Sequence, residues 1–444
     1  MIDLIPYTLI GVGFGVIAGF IPGIGIFATL MILYPWLLDF TGLQLIAFYI
    51  GIASTTQYIG SITATAFAVP GESSSLPSVI EGHALYKKGQ GGFAISGAAI
   101  GSFVGSLVVL VIVSLFVPSL ENLYYFYSSY IQACIIILVL VLLIFSSSNR
   151  LIACVLAFIG YILGTIGCRS IDDACFATFN NADLTTGLPL VSVVLSLYVF
   201  PIVINNWNVN FIDTDIDIST GKIIPHLKRY WDNIEASLRG TIVGFFAGFT
   251  PGLSTTMSSN ISYGLEKWIQ RRKKKYKLGN YPSLVSAETG NNAGSFASLL
   301  PLIVLGIPIV PSEALLYELA SSRGFILGGE NFTAEFFSNV AYLLVITNLI
   351  ALAIAWPFAK YICYMSKINY KILQTIILIV LLAVVVYVGS QFFQSFYYLS
   401  VFIVLLPIGI LFRKYEMLPL IFSFLVASRI DVLAISLRDL TQIF

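Results

Sequence analysis

Apolar segments long enough to cross a bilayer recur along almost the whole chain, and they constrain its fold more than any other feature. A helix needs roughly 20 apolar residues to span the hydrocarbon core. Hydropathy gives two interrupted stretches, 4–38 and 237–268, and ten further segments at 43–69, 92–118, 131–147, 151–168, 188–204, 282–308, 335–360, 372–388, 396–412 and 416–436. We therefore predict an all-α polytopic membrane protein.

The composition excludes a soluble protein. Hydrophobic residues make up 58% of the chain and charged residues 10%, against roughly 25% charged residues in soluble domains. The net charge of +1 indicates no charged partner, and two histidines leave little room for a histidine metal site. The five cysteines are scattered without a C-x-x-C pair, which disfavours a zinc knuckle or a disulfide framework. We expect no metal and no cofactor.

Two motifs recur in the same order, which predicts an internal duplication. The run Gly15–Gly23 resembles Gly244–Gly252 at an offset of 229 residues, and Val69-Pro70 resembles Ile307-Pro308 at an offset of 238 residues. Each half has a Pro-Gly-broken hairpin followed by about five spans. We predict a first membrane repeat at 1–204, a polar linker at 205–236 and a second membrane repeat at 237–444.

Charge placement predicts that the two repeats are inverted. If each Pro-Gly stretch enters and leaves on one side, each half has an odd number of crossings, and the halves must face opposite ways, as in many secondary transporters. Of the 23 Lys and Arg residues, 19 fall on the predicted inside loops, as the positive-inside rule requires. The loop after the first hairpin has Asp39 and no base, whereas its counterpart carries Arg271–Lys275.

The Pro-Gly breaks are the first candidate for a binding site. Proline removes a backbone donor, and glycine adopts backbone conformations that other residues avoid. Each break can therefore form a hairpin tip whose helix start offers free N–H groups to an anion. The alternative is a plain proline kink. Because the break occurs twice, we expect its residues to bind substrate: Pro22, Gly23, Gly25, Pro251, Gly252, Ser254 and Thr255.

The second candidate is the polar run 54–63 and the motif that follows it. Hydroxyl groups inside an apolar segment cost desolvation unless they find partners, and single Ser or Thr residues often bond their own helix. Glu72 is either a helix-start acid or a ligand for a cation or proton. The predicted substrate contacts here are Ser61, Thr63, Pro70, Gly71, Ser73 and Ser74.

The third candidate is an acid with two amides in an apolar surrounding: Glu288, Asn291 and Asn292. Their oxygens suit a hard cation and the amide N–H groups suit a carboxylate; the alternative is a polar clamp between helices. Gly306 and Pro308 close this segment and are included as substrate contacts. Glu288 is the first candidate for coupling to an ion or proton, and Glu72 is the second.

In these motifs the chain resembles the large membrane subunit of the bacterial tripartite tricarboxylate transporters, TctA. The resemblance covers roughly residues 11–412 and rests on Gly19–Gly25, Pro70–Ser74, Glu81–Gly89, Ala98–Gly105, Gly248–Gly252, Glu288 with Asn291–Ala293, and Pro301–Pro308. The family usually has Gly-Ile-Pro-Gly, and here Ile309 replaces the final glycine.

The resemblance implies a multi-pass permease of the bacterial cytoplasmic (inner) membrane that takes up a tri- or dicarboxylate. It implies two partners, a small four-span membrane subunit and a periplasmic solute-binding protein, and a sodium or proton gradient as the driving force. No Gly-Lys-Ser/Thr nucleotide motif occurs.

Two other classes stay open. An intramembrane enzyme, a protease or a lipid-modifying enzyme, would use Glu72 and Glu288 as acids. A channel or a passive scaffold would show no saturable ion-dependent uptake. We expect a transporter without enzymatic activity, because a symmetric duplication suits alternating access.

The basic run 271–277 borders a span, so we interpret it as a topology anchor on anionic lipid and expect no nucleic-acid partner.

Overall fold

The computed structural model describes residues 2–123, 129–168, 175–207 and 222–427. Part of the predicted linker, 208–221, and the end of the last predicted span lie outside these residues. The helices are α1 Ile5–Phe20, α2 Gly25–Ile32, α3 Tyr34–Leu37, α4 Gly42–Phe67, α5 His83–Leu85, α6 Gly91–Leu123, α7 Ser129–Ser146, α8 Arg150–Thr165, α9 Ala182–Thr185, α10 Leu190–Val194, α11 Phe200–Asn205, α12 Ile223–Trp231, α13 Ile234–Ala247, α14 Ser254–Arg272, α15 Tyr281–Leu305, α16 Pro311–Ser322, α17 Ala334–Ala355, α18 Ala359–Tyr364, α19 Tyr370–Gln391, α20 Ser395–Phe412 and α21 Leu418–Ala427.

The all-α polytopic prediction is confirmed. Within the described residues, six helices are long and apolar enough to cross a membrane: Ile2–Phe20, Gly42–Phe67, Ser78–Leu120, Ala334–Ala355, Tyr370–Gln391 and Ser395–Phe412. Helix α15 coincides with a predicted segment but is more polar, and nearly all of its residues are buried inside the protein. Helix α15 is therefore surrounded by other helices of the protein, whereas the outer helices face lipid on one side.

Both Pro-Gly stretches form a helix, a break and a second helix. In the first, α1 ends before Ile21 and α2 begins at Gly25, with Gly23 at φ +79°. In the second, Gly252 has φ +74° between α13 and α14. This left-handed conformation favours glycine, which explains why each break contains Pro-Gly.

Glycines let each hairpin pack directly onto a long helix, α1 onto α4 and α13 onto α15. A Cβ atom on any of these glycines would meet a backbone carbonyl of the partner helix, so the backbones are in contact. The contacts correspond between the halves at the same two offsets as the sequence motifs: Gly11–Phe48 with Gly240–Ser286, Gly15–Ile52 with Gly244–Gly290, and Gly19–Thr56 with Gly248–Gly294.

The hairpin tips are held by one matching hydrogen bond in each half. The backbone N–H of Gly23 donates to the carbonyl of Gly71 at 3.2 Å, and that of Gly252 donates to the carbonyl of Ile309 at 2.7 Å. These pairs again correspond at the two offsets. Contacts and motifs thus repeat together, while the opposite orientation of the two repeats stays a prediction.

A short antiparallel pair, β1 Gly167–Cys168 and β2 Cys175–Phe176, follows α8. Cys168 and Cys175 form a disulfide there, a single bridge where the sequence led us to expect no disulfide framework. Disulfides persist in oxidising compartments. This supports the predicted orientation, in which Arg150 at the other end of α8 lies inside.

Candidate functional site

A cavity of about 590 Å³ lies between the two hairpin tips, within the size range of small-molecule sites. Its walls come from the breaks of both hairpins, from α4 and α15, and from the start of α16. Eleven of the predicted residues line it: Pro22, Gly23, Gly25, Pro70, Gly71, Glu72, Ser73, Gly252, Ser254, Thr255 and Asn292. The folded chain therefore brings residues from both halves to one place.

The other predicted residues do not line this cavity: Ser61, Thr63, Ser74, Pro251, Asn291, Gly306, Pro308 and Glu288. Thr63 bonds the carbonyl of Gly60 on its own helix at 3.0 Å, and Gly306 ends α15 in the left-handed conformation. The fold therefore divides the predicted residues into a group that lines the cavity and a group that does not, and the roles predicted for both groups stay predictions.

Glu288 is fully buried behind the cavity, where hydroxyl groups of the first half surround it. Ser61 donates to its carboxylate at 2.5 Å, and Ser78 donates to the other carboxylate oxygen. Asn291, one turn along α15, lies against the same carboxylate. The acid is thus held between the halves with partners on both oxygens, as a buried carboxylate requires.

A chain of side-chain amides connects Glu288 with the cavity. The Nδ2 of Asn291 donates to Oε1 of Gln57 at 2.8 Å, and the Nε2 of Gln57 lies 3.4 Å from Oε2 of Glu72. Glu72 lines the cavity and Glu288 does not. Gln57 therefore bridges a buried acid and a cavity acid.

Glu72 also closes the first hairpin. Its carboxylate accepts the backbone N–H of Ile26, in the first turn of α2. A negative group at a helix start is favoured by the free N–H groups and by the helix dipole. The interpretation of Glu72 as a helix-start acid therefore describes its contact. The helix concerned is α2 of the first hairpin, which precedes Glu72 in the sequence, and not the segment that follows Glu72.

Sequence reasoning missed Glu313, a second acid on the cavity. Its carboxylate accepts the backbone N–H groups of Ile309 at 3.0 Å and Val310 at 3.3 Å, and the hydroxyl of Ser298 at 2.9 Å. An acid at the third position of a helix is a capping signal. That signal was available in Pro311-Ser312-Glu313, directly after Val310.

Glu81 forms a further junction outside the cavity. It lies in a π-helical turn, Ser78–Gly82, and is fully buried. The hydroxyls of Tyr263 and Tyr276 donate to one oxygen at 2.8 and 2.7 Å, and the backbone N–H groups of Gly279 and Asn280 donate to the other at 2.8 Å. The carboxylate fixes the basic loop of the second half to the first half.

The cavity has no basic side chain among the described residues that line it. Its polar groups are hydroxyls, amides, helix starts and the acids Glu72 and Glu313. An anion would therefore be held by backbone N–H groups and neutral side chains, an arrangement that helix starts support.

Proteins of other organisms are similar to this chain over most of its length. An uncharacterised 52.8 kDa protein from the TAR-I ttuC' 3' region of Agrobacterium vitis is 27% identical over 379 residues, covering 83% of this chain and 74% of the relative. An uncharacterised protein of Methanocaldococcus jannaschii is 24% identical over 427 residues, covering 93% and 94%. No solved structure matches. The tripartite tricarboxylate transporter TctA family matches residues 5–422, and the chain belongs to this family.

Proposed function

We propose that this protein is the permease subunit of a secondary transporter that imports a carboxylate across the bacterial cytoplasmic membrane. A periplasmic binding protein would deliver the substrate, and a small four-span membrane subunit would complete the complex. The observation that carries the proposal is the cavity between the two hairpin tips, lined by helix starts and hydroxyls from both halves. Duplicated halves around a central site suit alternating access.

The coupling ion, sodium or a proton, would act at Glu288. This acid is buried next to Ser61, Ser78 and Asn291. An ionisable group inside a membrane costs free energy, so such groups are rare and usually mark an ion site. The oxygens around it suit a hard cation, and the carboxylate itself can carry a proton. Gln57 would transmit the occupancy of Glu288 to the cavity through Glu72.

Uptake into proteoliposomes tests the proposal. The chain would be reconstituted with its candidate partner subunits, and uptake of labelled citrate and small carboxylates would be measured with sodium and proton gradients imposed separately. We expect saturable uptake with one gradient and none without a gradient. Leakage that rises linearly with substrate concentration would contradict the permease and indicate a channel.

The same preparation tests the enzyme alternative. Purified protein would be incubated with membrane peptides and phospholipids, and hydrolysis products would be measured for the wild type and for Glu288→Gln. We expect no product above background in either sample. Product formation that is lost in Glu288→Gln would favour an intramembrane enzyme over a permease.

A further inference from the structure

Helix α12, Ile223–Trp231, lies on the surface of the molecule and leads into the second hairpin. Four of its apolar side chains are 37–77% exposed: Ile223, Ile224, Leu227 and Trp231. Each residue turns an α-helix by about 100°, so these four form one stripe that covers about 100° of the helix surface. A contiguous exposed apolar patch marks an interaction surface.

The other side of α12 is packed on both halves of the protein. Nδ1 of His226 and the hydroxyl of Ser96 on α6 form a hydrogen bond of 2.7 Å. The Arg229 guanidinium lies between the rings of Phe93 on α6 and Tyr281 on α15, 4.7 and 4.5 Å from their centroids. These contacts fix the rotation of α12, so its apolar stripe stays on the outside.

A second exposed apolar stripe follows on the hairpin itself. On α13, the side chains at four-residue spacing are 46–70% exposed: Leu238, Ile242 and Phe246. The hydroxyls of Tyr230 and Ser237 are hydrogen-bonded at 2.5 Å, and the last residue of the α12 stripe and the first of the α13 stripe directly follow these two residues. The α12 stripe therefore continues the side of the hairpin that faces lipid.

Lysines border the α12 stripe. Lys228 follows Ile224 around the helix by about 40°, Lys222 precedes the first turn, and both lysines are exposed. The helix contains no acid. Tryptophan is enriched where a bilayer meets water, and an apolar face with Trp and Leu beside Lys is typical of helices that lie in the plane of an anionic membrane surface.

We propose that α12 lies in the plane of the bilayer surface and binds anionic phospholipid, with its apolar stripe among the acyl chains and Lys222 and Lys228 at the phosphates. Because α12 is packed on α6 of the first half and on α15 of the second, the bound lipid would brace both halves against the same leaflet. This inference concerns a different element from the basic run 271–277, and it does not depend on which substrate is carried.

Quenching of Trp231 fluorescence by spin-labelled lipid tests the proposal. The purified chain would be placed in nanodiscs with doxyl-labelled phosphatidylglycerol or phosphatidylcholine, and the Trp231 signal would be the difference between the wild type and Trp231→Phe. We expect the phosphatidylglycerol probe to quench this signal at least about threefold more strongly, since each lysine near the surface attracts anionic lipid. A signal that aqueous iodide quenches and neither lipid probe quenches would overturn the proposal.

Two double variants test the charge. Lys222→Gln with Lys228→Gln should abolish the difference between the two lipid probes, while both probes still quench Trp231 because the apolar stripe is intact. Lys367→Gln with Lys371→Gln removes the same charge from another exposed loop and should keep the difference. Equal losses in both double variants, or no loss in the first, would overturn the recognition of anionic lipid.

Two single variants test the apolar stripe. Leu227→Gln places a polar group in the stripe and should lower quenching by both lipid probes at least about twofold, because a polar side chain resists transfer into hydrocarbon. Pro225→Gln makes the same kind of change at an exposed position on the other side of α12 and should leave the quenching unchanged. Monodisperse elution and an unchanged unfolding temperature would establish that each variant is folded, and equal quenching in the two variants would contradict insertion of the stripe.

A membrane protein partner is the competing occupant of the stripe. The wild-type measurement would therefore be repeated after adding the candidate four-span membrane subunit, with formation of the complex checked by co-elution. We expect the phosphatidylglycerol probe to quench Trp231 equally well in the complex. Loss of this quenching would identify the stripe as a subunit interface and overturn the proposal.

Discussion

The Nδ2 of Asn291 donates a hydrogen bond to Oε1 of Gln57 across 2.8 Å, joining residues 234 positions apart in the sequence. Asn291 lies against Glu288, and Gln57 lies against Glu72. The buried acid of one half and the cavity acid of the other are therefore connected by two neutral amides. A change in the charge or ligand at Glu288 can alter the cavity without a large movement.

We predict that Gln57→Leu separates ion binding from substrate binding. Leucine has a similar size but leaves Asn291 and Glu72 without this partner, and an unsatisfied buried group costs about 1–3 kcal/mol. The dependence of substrate affinity on the coupling ion should fall about tenfold, measured as substrate binding with and without the ion. Tyr58→Phe, which removes only the buried bond to Asn348, should keep that dependence; equal losses in both variants would contradict the bridge.

Glu288→Gln should abolish gradient-driven uptake while substrate binding survives. The amide cannot take up a proton or neutralise a cation, but Glu288 does not line the cavity, so the substrate contacts stay in place. We expect uptake to fall at least about 100-fold, or roughly 2.7 kcal/mol, and the substrate affinity measured without the coupling ion to change less than tenfold. Glu235→Gln, at an exposed acid, should leave uptake unchanged. A parallel loss of this ion-free affinity in Glu288→Gln would place the acid in the substrate site.

Glu81→Ala should release the basic loop of the second half. Two phenol hydroxyls and two backbone N–H groups lose their common acceptor, and the loss of several buried bonds costs at least about 3 kcal/mol. Trypsin should therefore cleave the exposed run Arg271–Lys275 at least about tenfold faster, since about 1.4 kcal/mol corresponds to a factor of ten. Glu235→Ala is the control for the lost charge, and unchanged cleavage in Glu81→Ala would refute the clamp.

Two glycines on α1 should respond in opposite ways to alanine. A Cβ on Gly15 would meet the Ile52 carbonyl at 3.0 Å, whereas one on Gly13 would meet nothing within 4 Å. We expect Gly15→Ala to destabilise the protein by about 1–3 kcal/mol, as overpacking does, and Gly13→Ala to be neutral or to stabilise by about 1 kcal/mol. Thermal unfolding in detergent compares them, and equal shifts would argue against backbone contact between α1 and α4.

Much of the fold could be predicted from the sequence, because the bilayer imposes length and apolarity on each span. Hydropathy located the long helices, and the Pro-Gly runs located both breaks, since proline and glycine act on the local backbone. The match of Gly15–Gly23 with Gly244–Gly252 already contained the glycines that later proved to form corresponding contacts. Local chemistry was sufficient for these features.

The site itself could be predicted only in part, since its contacts join distant segments. Hydropathy cannot tell which side of α15 faces the cavity, so Asn291 and Asn292 received the same role although only Asn292 lines it. Gln57 is a lone amide in an apolar helix, and nothing local indicates that it meets Asn291. The donors gathered around Glu81 lie 182–199 positions away in the sequence.

The bond from each tip glycine to Gly71 or Ile309 gives every residue nearby a twin in the other half of the same chain. We infer an internal duplication from these matching offsets, and corresponding residues that differ would then show where the two halves have specialised. Gly25 with Ser254, and Glu72 with Val310, are such pairs, whereas the packing glycines have not changed. The unchanged pairs keep both hairpins packed against their long helices. The changed pairs make the two hairpins chemically different at the cavity, because only the first has a carboxylate of its own at the start of its second helix.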